Sequence, residues 1–268
     1  PMSNTLVRRQ RTNETDRRPR GFHYEARSNM RKVYVFWTGD NAMSEARRSS
    51  LDSMATTGCE VVLVDRHNLH DFVPAHRIHP AYPFLNLAHR ADYLRCYFMK
   101  HFGGGYADLK PISHSWTEAF DLLESDPNLW GIGYREVNRN GVANIYASSR
   151  QLNENPLRRL STYIRWRAMR RRYKDLIGLC AFAFKPDTPF VNEWWDELNQ
   201  RLDRLLPALR QTPARHPRER PGEIYAGEAS RYPVPWTYVL GDIFHPLILK
   251  YRHHMNSSLP PPGFKNYL

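Results

Sequence analysis

Apolar and polar residues alternate along the first third of the chain in a way that predicts strands and helices in turn. Residues 32–38 form a β-branched and aromatic run that ends at a Gly-Asp pair, and residues 60–65 form a second apolar run. Residues 44–56, between them, are predicted to form a helix. A strand, a helix and a second strand in this order predict a βαβ unit, which implies parallel strands joined by a right-handed crossover.

Residues 87–112 hold the most informative pattern of the chain. Apolar positions recur at helical spacing in its first half, where Asp92 and Arg95 lie three apart and share one helix face. Three glycines at 103–105 end this helix, and a short strand follows with Asp108 at its end. Carboxylates at strand ends beside tight glycine turns are where α/β proteins usually bind ligands. The pattern therefore predicts one ligand site that combines the helix face and the strand end.

The remainder of the chain continues the alternation of helices and strands. An Asn-Gly pair between two apolar runs predicts a β-hairpin made of residues 129–134 and 142–147. A Pro- and Arg-rich segment at residues 210–224 is predicted to be a loop that either closes over the site or acts as a surface spacer. Further helices are predicted at 118–125, 156–173, 189–209 and 237–250, and a buried strand at 179–184.

The motif in residues 91–110 resembles the core motif of glycosyltransferase family 32. It reads A-D-x-x-R, then an apolar helix, then G-G-x-Y-x-D-x. This family includes capsular polysaccharide and yeast α-mannosyl transferases, and large clostridial glucosylating toxins share the motif. The resemblance implies a GT-A fold, a Rossmann-like nucleotide-binding α/β domain with a mixed, mostly parallel central sheet flanked by helices. It also implies retaining transfer from a nucleotide-sugar, with Asp92 and Arg95 on the donor and Asp108 reaching its metal-bound diphosphate.

One departure from the family motif concerns the cofactor. The family has a second acid two residues after Asp108, and this chain has Lys110 there. The resemblance implies a divalent metal, Mn²⁺ or Mg²⁺, on Asp108, with His254 as a further ligand because a C-terminal histidine often closes over the diphosphate in GT-A enzymes. Lys110 offers a second route, since an ammonium group can pair with phosphate directly. Asp108 and Lys110 are candidate catalytic residues, together with Asp242, which is predicted to orient the acceptor.

Four further residues are candidates for contacts with the nucleotide-sugar. Trp37 and Thr38 end the first strand, where the resemblance places a base-contacting residue, although a core aromatic fits Trp37 equally well. Tyr106 belongs to the motif itself. Asn144 lies inside an apolar run, where it either hydrogen-bonds a sugar hydroxyl or satisfies a neighbouring backbone group.

Charge and cysteine content narrow the setting in which the protein is expected to act. The 268 residues have a net charge of +12. Residues 1–32 contain nine Lys and Arg residues and three acidic residues, and residues 158–174 contain eight Lys and Arg residues and no acidic residue. Residues 1–28 are therefore predicted to be a flexible basic arm. The family resemblance implies that residues 29–268 form a single GT-A domain. The arm and the basic amphipathic helix at 158–174 are candidates for peripheral contact with a membrane.

Three scattered cysteines, Cys59, Cys96 and Cys180, indicate reduced thiols and a cytoplasmic protein, either free or on the inner face of the membrane.

Three functions remain open from the sequence. The first is a glycosyltransferase that moves a sugar from a UDP- or GDP-sugar to a glycan or glycolipid acceptor, in the synthesis of a capsule, a lipopolysaccharide or another surface polysaccharide. The second is a basic module that binds nucleic acid or an anionic surface, although no nucleic-acid-reading motif is visible. The third is a degenerate transferase fold that binds a nucleotide without turnover.

Overall fold

Strands and helices alternate along residues 31–265, which are the residues that this structure, a computed structural model, describes. The basic arm predicted for residues 1–28 lies outside this range. The elements are, in order, β1 (Lys32–Trp37), α1 (Glu45–Ser53), β2 (Glu60–Asp65), α2 (Leu69–Phe72), α3 (Leu87–His101), β3 (Gly104–Ala107), α4 (Thr117–Ser125), β4 (Gly131–Arg135), α5 (Ile145–Gln151), α6 (Pro156–Arg171), β5 (Ile177–Phe184), α7 (Pro189–Gln211), β6 (Ile224–Tyr225), β7 (Glu228–Ala229), α8 (Gly241–Lys250) and β8 (Met255–Asn256).

The predicted βαβ unit is present and begins the central sheet. β1 and β2 pair in parallel from Lys32 opposite Glu60 to Trp37 opposite Asp65. Ser44 caps the connecting helix α1 by accepting a hydrogen bond from the backbone amide of Arg47, which satisfies one of the free amides at a helix start. The parallel pairing places the carboxyl ends of both strands at the same edge of the sheet.

The whole sheet has six strands in the order β2-β1-β3-β5-β4-β8. β1 pairs in parallel with β3, and β4 pairs in parallel with β8, whereas β5 is antiparallel to both of its neighbours. Five strands of this sheet therefore run in one direction and β5 runs in the other. The predicted α/β fold, with a mixed and mostly parallel sheet flanked by helices, is confirmed.

Helices cover both faces of the sheet because the strand side chains alternate between two apolar clusters. Tyr34 and Phe36 of β1 point into a cluster with residues of α3, α7 and α8, while Val33 and Val35 point into a second cluster with α4. A strand buried on both faces in this way reads as an unbroken apolar run, which is the pattern that the sequence shows. Within residues 31–265, no helix has both the length and the apolar content that crossing a bilayer requires.

The hairpin predicted for residues 129–134 and 142–147 is wrong in its second strand. β4 forms, but it pairs with β5 and β8. The second run turns into α5, and Asn144 caps this helix by accepting a hydrogen bond of 3.0 Å from the amide of Ala147. An apolar run of six residues fits either a strand or a helix, and both sides of β4 are occupied by strands that are distant in sequence.

Gly103 sets the sharp turn between α3 and β3, on which the position of Asp108 depends. Its φ is +68°, a left-handed value that L-residues rarely adopt. A Cβ atom here would also lie 2.5 Å from Cδ of Pro186 and 3.0 Å from the carbonyl oxygen of Phe184. Backbone conformation and packing therefore both require glycine.

Gly103→Ala should lower the free energy of unfolding more than Gly222→Ala, measured by urea denaturation. Gly222 also has a positive φ, +75°, but a Cβ there would meet nothing within 4 Å. We expect Gly222→Ala to cost about 1 kcal/mol from backbone strain alone, and Gly103→Ala to cost roughly 1–3 kcal/mol more from overpacking. Equal losses in the two variants would show that the packing against Pro186 does not constrain this turn.

Candidate functional site

A cavity of about 500 Å³ lies at the edge of the sheet where β1 and β3 end. Trp37 and Thr38 line it from the end of β1, and Asp108 lines it from the end of β3. β5 is antiparallel to β3, so its first half lies at this edge of the sheet. Leu179 and Cys180 in that half complete the wall of the cavity. A cavity of this volume suits a small-molecule ligand, and its place at the carboxyl ends of parallel strands is the one expected for α/β proteins.

The floor of the cavity is organised around the carboxylate of Asp108. One of its oxygens, Oδ1, accepts a hydrogen bond of 2.6 Å from the hydroxyl of Tyr106, and Oδ2 accepts one of 2.6 Å from the ammonium group of Lys110. The Lys110 ammonium also lies 2.9 Å from Sγ of Cys180. Backbone pairing continues past the strand, because the amide of Asp108 donates to the carbonyl of Cys180 at 2.7 Å.

Arg95 joins this group to the face of α3. Its Nη2 lies 3.1 Å from Oδ1 of Asp92 and 3.5 Å from Oδ1 of Asp108, and its Nη1 donates to the carbonyl of Leu179 at 2.8 Å. The guanidinium carbon lies 4.3 Å from the centre of the Tyr106 ring, at the distance of a cation–π contact. The three charged residues that the sequence pattern grouped, on α3 and at the end of β3, thus meet in one cavity.

The charges of this group hold Asp108 ionised. Burial by itself would raise the pKa of Asp108, but the positive charges of Lys110 and Arg95, together with hydrogen bonds from Lys110 and Tyr106, lower it well below its usual range. Burial likewise acts to lower the pKa of Lys110, and the nearby Asp108 carboxylate outweighs it, so the pKa of Lys110 is raised. At neutral pH the floor therefore carries the carboxylate of Asp108 and the cations of Lys110 and Arg95.

Asp92 differs from Asp108 because burial dominates its environment. Burial raises the pKa of Asp92 to about 7, against the opposing effect of Arg95 and with the help of the negative charge of Asp108. Asp92 thus changes its charge near neutral pH. The net charge of the floor becomes more positive as the pH falls through that value.

The walls add positive charge to the floor. Arg47 lines the cavity from α1 and donates a hydrogen bond of 2.6 Å to the carbonyl of Leu109, and Arg218 lines it from the loop between α7 and β6. With Arg95 and Lys110, the lining contains four cationic side chains against the two carboxylates of Asp92 and Asp108. The electrostatic preference of the cavity is therefore for an anion.

Two tryptophans are among the aromatic side chains that line the cavity. Trp37, at the end of β1, donates a hydrogen bond from its indole to the carbonyl of Asn41 at 2.9 Å. Trp236 lies in the lining as well, with the guanidinium carbon of Arg218 5.5 Å from its ring centre. The buried His89 holds this segment, since one ring nitrogen lies 3.2 Å from the Trp236 carbonyl and the other 2.8 Å from the Tyr232 hydroxyl. Burial lowers the pKa of His89 to about 4, so the ring is neutral at physiological pH.

Sequence reasoning missed Arg47, Arg218, Trp236 and Cys180 as lining residues. Arg47 lies in the first turn of α1, the helix that follows β1. α/β proteins commonly contact ligands at this position, so it held a usable signal. Arg218 lies in the loop for which closure over the site was one prediction, and Pro217 and Arg218 do line the cavity. Trp236 and Cys180 carry no local signal. Cys180 reaches the site because β5 pairs with β3, and Trp236 is held there by a contact of its carbonyl with His89.

Three predicted residues do not reach the cavity lining. Asn144 caps α5 with its side chain, as described above. Asp242 is buried and accepts a hydrogen bond of 2.6 Å from the hydroxyl of Thr237, so it supports the lining residue Thr237 instead of facing an acceptor. Burial raises the pKa of Asp242.

His254 lies at the other end of the sheet from Asp108. β3 and β8 run in the same direction in the sheet. His254 directly precedes β8, whereas Asp108 directly follows β3, so the two residues lie at opposite ends of their strands. Two strands also separate β3 from β8. The His254 ring stacks on Trp130 with 3.7 Å between ring centres, and its Nδ1 lies 2.8 Å from the carbonyl of Asn128. The prediction that His254 and Asp108 bind one metal is therefore corrected.

The donor set around Asp108 does not fit the divalent metal that the family resemblance implies. Both oxygens of this carboxylate already accept short hydrogen bonds, and two of the three groups around it are cations, Lys110 and Arg95. Mg²⁺ and Mn²⁺ bind where carboxylates and carbonyls outnumber cations. Within residues 31–265, no three His, Cys, Asp or Glu side chains lie together where they could hold a metal ion.

Comparisons of the chain with protein-family models, with curated proteins and with solved structures find no match. The resemblance of residues 91–110 to glycosyltransferase family 32 therefore stays a prediction.

Asp92→Asn should change how stability depends on pH. The pKa of Asp92 is raised in the folded protein, so between about pH 4 and about pH 7 the folded state holds a proton that the unfolded state has lost, and this contribution to stability falls as the pH rises. An asparagine removes that fall. The unfolding free energy of the variant minus that of the wild type should therefore rise by on the order of 2 kcal/mol as the pH increases from 5 to 8.

Urea denaturation at several pH values measures this difference. Asp196→Asn, at an exposed position of α7, is the matched control and should leave the pH profile unchanged. A wild-type profile that Asp92→Asn does not alter would mean that Asp92 does not titrate near neutral pH.

Proposed function

We propose that the protein is a glycosyltransferase that takes its sugar from a nucleoside diphosphate sugar. The observation that carries the proposal is the grouping of Arg95, Lys110 and Asp108 on the floor of a cationic cavity, at the carboxyl ends of β1 and β3. A diphosphate is the ligand that such a cavity suits, because it carries two or more negative charges and accepts several hydrogen bonds at once.

In this proposal the donor lies with its diphosphate on the floor and its base beside Trp37. Lys110 and Arg95 pair with phosphate oxygens, and Arg47 approaches from α1. The indole face of Trp37 offers a stacking surface for a planar base. Asp108 does not bind the donor itself in this arrangement; it holds the Lys110 and Arg95 side chains in position.

Transfer breaks the bond between the anomeric carbon and the diphosphate oxygen and forms a bond to the acceptor hydroxyl. Negative charge grows on the departing diphosphate, and preorganised cations are the most effective means of stabilising it. Lys110 and Arg95 supply this charge from fixed positions. The acceptor's proton passes to an oxygen of the departing phosphate on the same face of the sugar, which gives retention of configuration and requires no separate general base.

The acceptor class follows from the family resemblance and is a glycan or a glycolipid of a surface polysaccharide or lipopolysaccharide. The alternative of a nucleotide-binding protein without turnover has one supporting observation. Lys110 is engaged with the carboxylate of Asp108 and with Cys180, so binding a phosphate requires it to share its hydrogen bonds. A nucleic-acid-binding role does not account for the grouping of the buried Asp92 and Arg95 with Asp108.

A panel of UDP-, GDP- and CMP-sugars tests the proposal directly. Thermal shift reports which donor binds, and release of free sugar reports the slow donor hydrolysis that glycosyltransferases show without an acceptor. Binding with hydrolysis supports the transferase. Binding without hydrolysis identifies the nucleotide-binding alternative, and binding of none of these donors refutes both.

Lys110→Met should weaken binding of the donor that the panel identifies by at least about tenfold, because it removes a charge-assisted hydrogen bond to phosphate. The methionine keeps most of the side-chain volume, and Asp108 keeps Arg95 and Tyr106 as partners. Titration calorimetry gives the affinity, and donor hydrolysis gives the turnover. Lys250→Met, at the end of α8 and outside the cavity lining, is the control; an effect no larger than that of the control would exclude Lys110 from the donor site.

Donor hydrolysis should persist in EDTA within about twofold of its value with Mn²⁺, because fixed cations replace the metal at the leaving group. The same reaction is measured after dialysis against the chelator and again after Mn²⁺ is restored. If the chelator abolishes turnover and Mn²⁺ restores it, a metal supports the leaving group and the role given to Lys110 is wrong.

A further inference from the structure

The helix α6 turns its apolar stripe away from the protein. Leu157, Leu160 and Ile164 recur at spacings of three and four along this helix, and they are 81%, 57% and 59% exposed. The opposite side faces inward, where Met169 and Trp166 pack on the main apolar cluster. Residues at these spacings share one helix face, so the exposed stripe is a surface that the described fold leaves uncovered.

Arginines flank the stripe on both sides. At 100° per residue, Arg165 lies on one side of it and Arg167 on the other, while Arg171 lies in line with the stripe at its C-terminal end. α6 contains no acidic residue. The surface formed by α6 is thus an apolar stripe with arginines on both sides and at its C-terminal end.

A cationic cleft continues this surface beyond the end of α6. It has a volume of about 340 Å³, and its lining includes Arg135, Arg172, Lys174 and Arg252 with Asp175 as the one acid. Arg172 directly follows α6 and lines the cleft, where its Nε lies 2.9 Å from Oδ2 of Asp175. An anionic group that lies against the end of α6 therefore has further cations within reach.

The apolar stripe and the arginines beside it together indicate which kind of partner can cover this surface of α6. A nucleic acid would contact the arginines but would leave three exposed aliphatic side chains in water. A second copy of the chain would cover the stripe, but it would bring two sets of arginines together without acidic residues on α6 to pair with them. An anionic lipid surface satisfies both features, because aliphatic side chains enter the boundary between headgroups and acyl chains while arginines pair with phosphates.

We propose that α6 and the cationic cleft dock the protein on the surface of a membrane that contains anionic phospholipids. The helix lies in the plane of the interface, with Leu157, Leu160 and Ile164 inserted and the flanking arginines at the level of the phosphates. The cleft takes a phosphate-bearing headgroup beside the end of the helix. This inference does not rest on the proposed function, since none of the residues that carry it lines the main cavity.

Flotation of the full chain with lipid vesicles tests the docking surface. We expect the protein to bind vesicles of phosphatidylcholine mixed with phosphatidylglycerol, and to bind vesicles of phosphatidylcholine alone at least about tenfold more weakly. Leu160→Ser with Ile164→Ser should reduce binding to the anionic vesicles by at least about tenfold, because each buried aliphatic side chain contributes strongly to partitioning.

Control variants distinguish vesicle binding by the α6 surface from nonspecific attraction between the protein and anionic lipid. Ile224→Ser removes an aliphatic side chain that is 67% exposed on β6 and should leave binding unchanged. Arg167→Glu with Arg171→Glu should weaken binding to anionic vesicles by about fivefold per charge removed or more. All substituted side chains are exposed, so thermal unfolding should show no loss of the fold.

Three outcomes would overturn the proposal. The first is no binding to anionic vesicles by the wild type. The second is binding that the double serine variant retains in full, which would assign attraction to charge elsewhere in the chain. The third is binding to heparin or RNA that is stronger than to vesicles and insensitive to the serine substitutions, which would identify a nucleic-acid or polyanion surface.

Discussion

The carboxylate of Asp108 is the partly buried charge on which the candidate site depends. It pairs with Arg95 of α3, with Tyr106 of β3 and with Lys110 in the segment after β3. Removing a carboxylate from water is costly without such partners, so it holds the helix and the strand in one arrangement. The same contacts keep two cations at the floor of the cavity, where an anionic ligand would meet them.

Local sequence patterns predicted the elements and the central grouping of the site. The runs at β1 and β2, the helical spacing in α3 and the glycines at 103–105 are signals within a few residues of each other, and each gave the element that forms. The meeting of Asp92, Arg95 and Asp108 followed from the same signals, because the turn at Gly103 brings the end of α3 back onto the sheet.

Predictions failed where distant strand pairing decides the outcome. The apolar run around Asn144 fits a strand or a helix locally, and it became a helix because β5 and β8 occupy both sides of β4. His254 was grouped with Asp108 without knowledge of strand direction, which only the full sheet determines. Cys180 reaches the cavity through strand pairing, and Trp236 reaches it through a contact with His89, 147 positions earlier. No short window of the sequence contained a signal for either residue.

The reversed strand β5 has a consequence for how the protein reaches its native state. Lys110 and Cys180 touch across a separation of 70 positions, and β5 must enter between β3 and β4 before that contact exists. Pairings between strands so far apart in sequence slow folding. A nascent chain that ends before β5 lacks a wall of the cavity.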